Sequence, residues 1–170
     1  QTINSNILHM PFSDNSFDVV FLLDVLEHLP DPHVCMSEIR RVLRPNGLCY
    51  LQVPFIYPVH DAPLDFQRFT QYGMLNLAGK TGFSTIDLKT VGTPLTTSAL
   101  ITNLAIAKTY INWSKQNHFM SLFASPIIFL IPVINTLFFI VDKLSINESS
   151  FPYRLCLILS NSDKNIENTD

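Results

Sequence analysis

A chain of 170 residues that is 47% apolar and 15% charged can build one domain with a substantial core, is too short for two, and is not disordered. A net charge of −3 and a pI near 5.9, without any run of Lys or Arg, argue against a nucleic-acid partner. Cys35, Cys49 and Cys156 are widely spaced and form no CxxC pair, which predicts a reducing, cytoplasmic setting and no zinc site.

The chain begins with Gln1 and shows no basic-then-apolar leader, so it is expected to start inside a longer product or after a cut. Asn6 to Met10 predicts a short strand, ended by the turn formers of "PFSDNS". "FDVVFLL", Phe17 to Leu23, predicts the next strand. Its continuous apolar run, Val19 to Leu23, is expected of a strand buried on both faces of a parallel sheet. That run stops at Asp24, and Glu27 and His28 follow at once.

"PDPHVCMSEIRRVLRPNG" predicts a helix capped by Asp31, with Pro32 at its first position. Arg40, Arg41 and Arg44 are expected in its last turns, where cations complement the helix dipole, with Pro45 and Gly47 as the stop. Glu38 reads as part of a solvated face, and Asp18 as structural at a strand start. "LCYLQVP", Leu48 to Pro54, is the following strand. A loop rich in Pro and acidic residues leads to a short helix in "TQYGMLNLAGKTG", and "FSTIDLKTV" reads as another strand. Strands alternating with helices over short connections indicate an α/β fold with a mainly parallel sheet.

From Thr93 the character changes. Thr96 to Ile111 is a moderately apolar helical stretch, and Phe119 to Val141 runs without one charged residue, long enough to cross a bilayer. Tyr153 to Leu159 reads as a last strand with a polar tail. If the strands on either side of the apolar segment pair, the chain must return to the side it left, so a single crossing is excluded and a hairpin is allowed. Pro126 and Pro132 would kink or split its second arm, and Trp113 would sit near the interface. The alternatives are a membrane-dipping hairpin and a lid or homodimer surface.

The stretch "LHMPFSDNSFDVVFLLDVLEHLPDPHVCMSEIRRVLRPNGLCYLQVP" resembles the middle of a class I S-adenosylmethionine-dependent methyltransferase of the type 11-like branch. "PVHDAPLDFQRFT" and "GMLNLAGKTGF" resemble the part that follows, and the likeness fades after Gly92. The resemblance implies an incomplete Rossmann-like sheet of the third to seventh strands, the last antiparallel, out of a seven-stranded order 3-2-1-4-5-7-6. It implies a methyltransferase core over residues 1–92, an apolar helical insertion over 93–146, and a final strand with tail over 147–170. The five glycines form no GxGxG, so the chain by itself is expected to lack the family's glycine-rich cofactor loop and to be inactive alone.

The same resemblance assigns candidate residues. Asn6 and Ile7 would meet the adenine of S-adenosylmethionine, and Leu22, Leu23 and Asp24 would line its methionine and sulfonium end. Methyl transfer is an in-line displacement that needs positioning and, for a protic acceptor, a base. His28 is the leading base, since an unperturbed imidazole exchanges its proton near neutral pH, with His60 second, while Asp65 and Arg68 would cover the acceptor. Each of the last four also has a plain structural reading, as a loop tie or an ion pair. Asp24 and His28, at i and i+4 beside Glu27, could place two metal ligands on one face. There is no HExxH, however, and His9, His33, His60 and His118 show no ligand-like cluster, so no metal is expected. The expected function is methyl transfer to a small, hydrophobic or lipid-linked acceptor, by a cytoplasmic protein or one peripheral on the inner face of a membrane. The rival is a non-catalytic fragment whose apolar hairpin serves membrane or dimer association.

Overall fold

The computed structural model describes residues 3–116, 122, 126, 128–144 and 151–162. Of the expected apolar run, residues 119–121, 123–125 and 127 lie outside the described residues, as do 145–150 and the tail from 163 onward. The chain forms two compact units, one of Gln1–Phe55, Val59–Thr90 and Arg154–Asp170, the other of Ile56–Pro58 and Val91–Tyr153.

The first unit holds a four-stranded sheet. Its elements are β1 (Phe17–Leu23), α1 (Pro32–Val42), β2 (Leu43–Pro54), α2 (Gln71–Lys80), β3 (Ser84–Val91) and β4 (Arg154–Ser160). The spatial order is β1-β2-β4-β3, with β1 and β2 parallel and β4 antiparallel to β2. This is the order and direction expected for the fourth, fifth, seventh and sixth strands. Leu22 pairs with Leu51, which pairs with Leu157, so one face carries a row of leucines across three strands. Cys49, Val53, Leu155 and Leu159 extend that row. Met36 and Ile39 of α1 and Met74 and Leu77 of α2 pack on it as the core. Removing this apolar area from water is the main force holding the unit together.

Three expectations fail here. Asn6 to Met10 is not a strand: the Asn6 side chain accepts a hydrogen bond from the Leu8 N–H at 3.0 Å, and the Asn6 carbonyl accepts one from His9. A local side-chain bond of this kind competes with strand pairing. Among the described residues β1 is therefore an edge strand rather than an interior one. Nor is β1 buried on both faces. Leu22 is buried, but Phe21 is 66% exposed, because α1 and α2 cover only the leucine face. Phe21 stacks on Tyr50 at 5.1 Å on the open face.

The helix after Asp31 also ends sooner than expected. Asp31 accepts from the His33 and Val34 N–H groups, as a cap before Pro32 should, but α1 stops at Val42 and Arg44 already lies in β2. Arg44 pairs with Asp18 at 2.6 Å, in keeping with a structural Asp18. Glu38 is not on a solvated face: its carboxylate grips Arg41 at 2.8 Å and accepts the Met10 N–H. Arg41 also donates to the Phe12 and Met10 carbonyls, so this side chain fastens the irregular N-terminal segment to α1.

The second unit contains α3 (Pro94–Gln116), which includes the expected Thr96–Ile111 arm, and α4 (Leu130–Leu144). The two pack together, joined by Asn103 and Asn135 at 2.6 Å and by Thr93 donating to Asp142. No residue of α4 is buried, and Val133, Leu137, Phe139, Ile140 and Leu144 are exposed. Among the described residues no helix is long and apolar enough to cross a membrane.

Candidate active site

The site grows from the carboxyl end of β1. Asp24 turns the chain with φ +53°, a left-handed conformation that Asp tolerates better than most side chains. Its N–H donates to the Gln52 carbonyl at 3.0 Å, and its Oδ2 accepts from Gln52 Nε2 at 2.7 Å and from Arg154 at 3.4 Å. Asp24 Oδ1 is buried with no hydrogen-bond partner. A 3-10 turn, Leu26–His28, follows. Leu26 anchors it in the core, and the packing carries its neighbour Glu27 to complete burial.

The loop before α2 folds back over this turn. The Phe66 N–H donates to the Glu27 carbonyl at 2.9 Å, and Gln67 donates to the Leu29 carbonyl at 2.9 Å. His28 Nδ1 lies 2.9 Å from the Leu64 carbonyl, which can only accept, so this nitrogen carries a proton. His60 Nε2 comes to 3.9 Å from Glu27 Oε1, and His28 Nε2 to 3.8 Å from the same oxygen. Asp65, 1% exposed, accepts the His60 N–H at 2.9 Å and a two-pronged ion pair from Arg68 at 2.5 and 2.7 Å.

These contacts set the electrostatics. Arg68 holds the Asp65 carboxyl well below the usual carboxylate range, and Asp65 in turn pushes the Arg68 guanidinium up. Burial pushes the Glu27 carboxyl up and the nearby Asp24 adds to it, while its own backbone N–H, His28 and His60 oppose it. Neither Glu27 oxygen has a hydrogen-bond partner. Burial also drives the Cys35 and Cys49 thiols up to about 12, so neither offers a thiolate.

The structure thus brings together His28, His60, Asp65 and Arg68, with Asp24 at the start of the turn. The expectation that His60 joins no cluster is overturned, since its ligand nitrogen lies within 4.8 Å of those of His28 and Glu27. Of the proposed cofactor residues, Leu22 points into the core, Leu23 is 52% exposed on the open face, Ile7 packs at the core margin and Asn6 spends its amide oxygen on its own turn. The sequence reading noted Glu27 only as a neighbour of Asp24 and His28 and did not single out Gln67. The signal for Glu27 was its place between Leu26 and Leu29, where the flanking leucines drag an acidic residue inside.

The chain is similar to several known proteins. Residues 1–51 match the family model described as a methyltransferase domain. Cycloartenol-C-24-methyltransferase 1 of Oryza sativa subsp. japonica is 39% identical over 61 residues, which are 36% of this chain and 17% of that enzyme. An uncharacterized methyltransferase of Schizosaccharomyces pombe is 35% identical over 105 residues, 55% of this chain and 37% of that protein. The chain thus spans well under half the length of these relatives. The fold is shared with 1,6-didemethyltoxoflavin-N1-methyltransferase of Burkholderia thailandensis, solved with its namesake compound and S-adenosylhomocysteine, at 13% identity and a TM-score of 0.55, covering 95% of this chain and 50% of that one. Motif, strand order and relatives converge on one resemblance: residues 1–51 match a methyltransferase domain, and the fold is one found in methyltransferases of known structure.

Proposed function

We propose that the protein transfers the methyl group of S-adenosylmethionine to a small hydrophobic or lipid-linked acceptor. The observation that supports this best is the pair of imidazoles, His28 and His60, gathered where the parallel strand β1 ends. Ligand sites of open α/β sheets form at such ends. The cofactor fits the residues present, because the buried, unpartnered Asp24 Oδ1 suits a neighbouring cationic centre. When bound, the cofactor supplies an electrophilic methyl on sulfur. Asp24 and the backbone of Leu22 and Leu23 would hold its sulfonium end, with Asn6 and Ile7 toward the adenine.

The chain's own part is positioning and proton removal. An acceptor lone pair attacks the methyl carbon, the carbon–sulfur bond breaks, and the acceptor's proton leaves to a base. His28 is that base in our reading, with His60 beside it. Asp65 and Arg68 act as positioning residues that fix His60, more than as direct contacts to the acceptor. The hydrophobic acceptor class is supported by the sterol-methyltransferase relative and by the low charge content of the chain. The test is transfer of isotopically labelled methyl from S-adenosylmethionine by the full-length protein into lipid and aqueous cell extracts. Label in neither fraction defeats the reading, and label in the aqueous fraction alone defeats the acceptor class.

One observation favours a second reading, association without catalysis. The exposed apolar side chains of α4 form a surface suited to a lipid interface or a second copy of the chain. Vesicle co-sedimentation and light scattering of wild type and of Leu137→Ser with Phe139→Ser distinguish the two uses. Monomeric, vesicle-free behaviour unchanged by the substitutions would remove both.

A further inference from the structure

We propose that Glu27, His28 and His60 form a binding site for a first-row divalent transition cation such as Mn²⁺, Co²⁺ or Zn²⁺. This claim is separate from methyl transfer itself, but a cation on His28 Nε2 would take the nitrogen assigned above to the base, so the two roles of His28 exclude each other.

Glu27 is 0% exposed, and neither carboxylate oxygen has a hydrogen-bond donor. A carboxylate left this way costs on the order of 1–3 kcal/mol or more, so such groups are rare in native interiors without an ion or partner. Two imidazole nitrogens face the same oxygen, His28 Nε2 at 3.8 Å and His60 Nε2 at 3.9 Å. Both distances are too long for a hydrogen bond.

The tautomer of His28 sharpens the point. Its Nδ1 donates to the Leu64 carbonyl at 2.9 Å, so in the neutral ring Nε2 carries a lone pair. A lone pair that faces a carboxylate oxygen is repelled unless a positive charge sits between them. Metal-bound histidines are commonly fixed in this way, with the far ring nitrogen held by a carbonyl or carboxylate. His60 has the other version of that support: its Nδ1 lies 3.3 Å from Asp65 Oδ2, although Arg68 Nη2 is equally near and leaves this tautomer open. Asp65 is itself held by Arg68, so the outer layer is built.

The spacing fits. With metal–ligand bonds near 2.1 Å, neighbouring donors stand about 3.0–3.4 Å apart. The three donor atoms lie within 4.8 Å of one another, so side-chain rotations of about an ångström or less complete the set. Two nitrogens and one oxygen select borderline transition ions over Mg²⁺ or Ca²⁺, which prefer oxygen alone. Three protein ligands leave coordination positions open for an oxygen of a bound molecule. Protonation of Glu27 or of one imidazole is the metal-free alternative; protonation of both rings would place two cations edge to edge with ring centres 4.8 Å apart.

The probes are Mn²⁺ and Zn²⁺, titrated calorimetrically into the 170-residue chain, with Co²⁺ absorption as a readout of nitrogen–oxygen coordination. The expected result is one saturable site per chain, weakened at least tenfold in both Glu27→Gln and His60→Gln and unchanged in His33→Ala. Circular dichroism shows whether each variant is folded. No saturable binding by the folded wild type, or equal affinity in the Glu27→Gln and His60→Gln variants, overturns the site. If Glu27→Gln does not fold, the His60→Gln comparison decides alone.

Discussion

The ring of His28 meets the ring of His60 edge to face, with centroids 4.8 Å apart, although one follows a strand and the other sits in the next long loop. Nδ1 of His28 lies against the Leu64 carbonyl and Nδ1 of His60 lies between Asp65 and Arg68, while the two Nε2 atoms stand 3.8 and 3.9 Å from buried Glu27. His28→Asn or His60→Asn in the full-length protein is expected to lower the methyl-transfer rate about 10²-fold or more, as loss of a general base does. Rate measurements beside a thermal melt are decisive: a drop in stability with no drop in rate assigns the pair to loop fixing alone.

The Glu38–Arg41 pair has a defined pH signature. Hydrogen bonding from Arg41 lowers the Glu38 carboxyl from 4.5 to about 2, against the opposing effect of burial. His9 also faces Glu38, the Cys35 thiol lies near it, and Asp14 shares Arg41. A depressed carboxyl contributes stability above its unfolded value and loses it as the pH falls through the folded one. Wild type should therefore melt above Glu38→Gln by a constant margin at pH 5 and higher, the margin closing between pH 4.5 and 2. A margin that does not change over that interval would show that the ion pair contributes nothing.

The two faces of the sheet should respond very differently to truncation. Leu51→Ala removes a fully packed side chain between Leu22 and Leu157 and is expected to cost about 2–5 kcal/mol. Phe21→Ser removes an exposed ring that touches Tyr50 and should cost about 1 kcal/mol or less. Urea midpoints of the two variants test this. Similar losses would mean that the Phe21 face is covered in solution.

Gly82 closes α2 with φ +79°, and a Cβ there would stand 2.5 Å from the Arg40 guanidinium. The flexible Arg40 can move, so the lasting cost of Gly82→Ala is the left-handed backbone, about 1–2 kcal/mol. Denaturant unfolding measures it, and an unchanged midpoint would contradict the assigned conformation.

What the sequence determined was local or motif-borne. The β1 run, the Asp31–Pro32 helix start and the antiparallel last strand were legible, because each depends on residues close in the chain or on a recognisable pattern. What only the tertiary structure decided were matters of partners. Asn6 to Met10 has strand-like composition yet closes a turn, since a strand exists only where another offers it hydrogen bonds. Phe21 and Leu22 are equally apolar, and only the placement of α1 and α2 buries one and exposes the other. Glu27, His28 and His60 meet because the Phe66 and Gln67 hydrogen bonds fold a loop back onto a turn, a long-range closure that no residue spacing encodes.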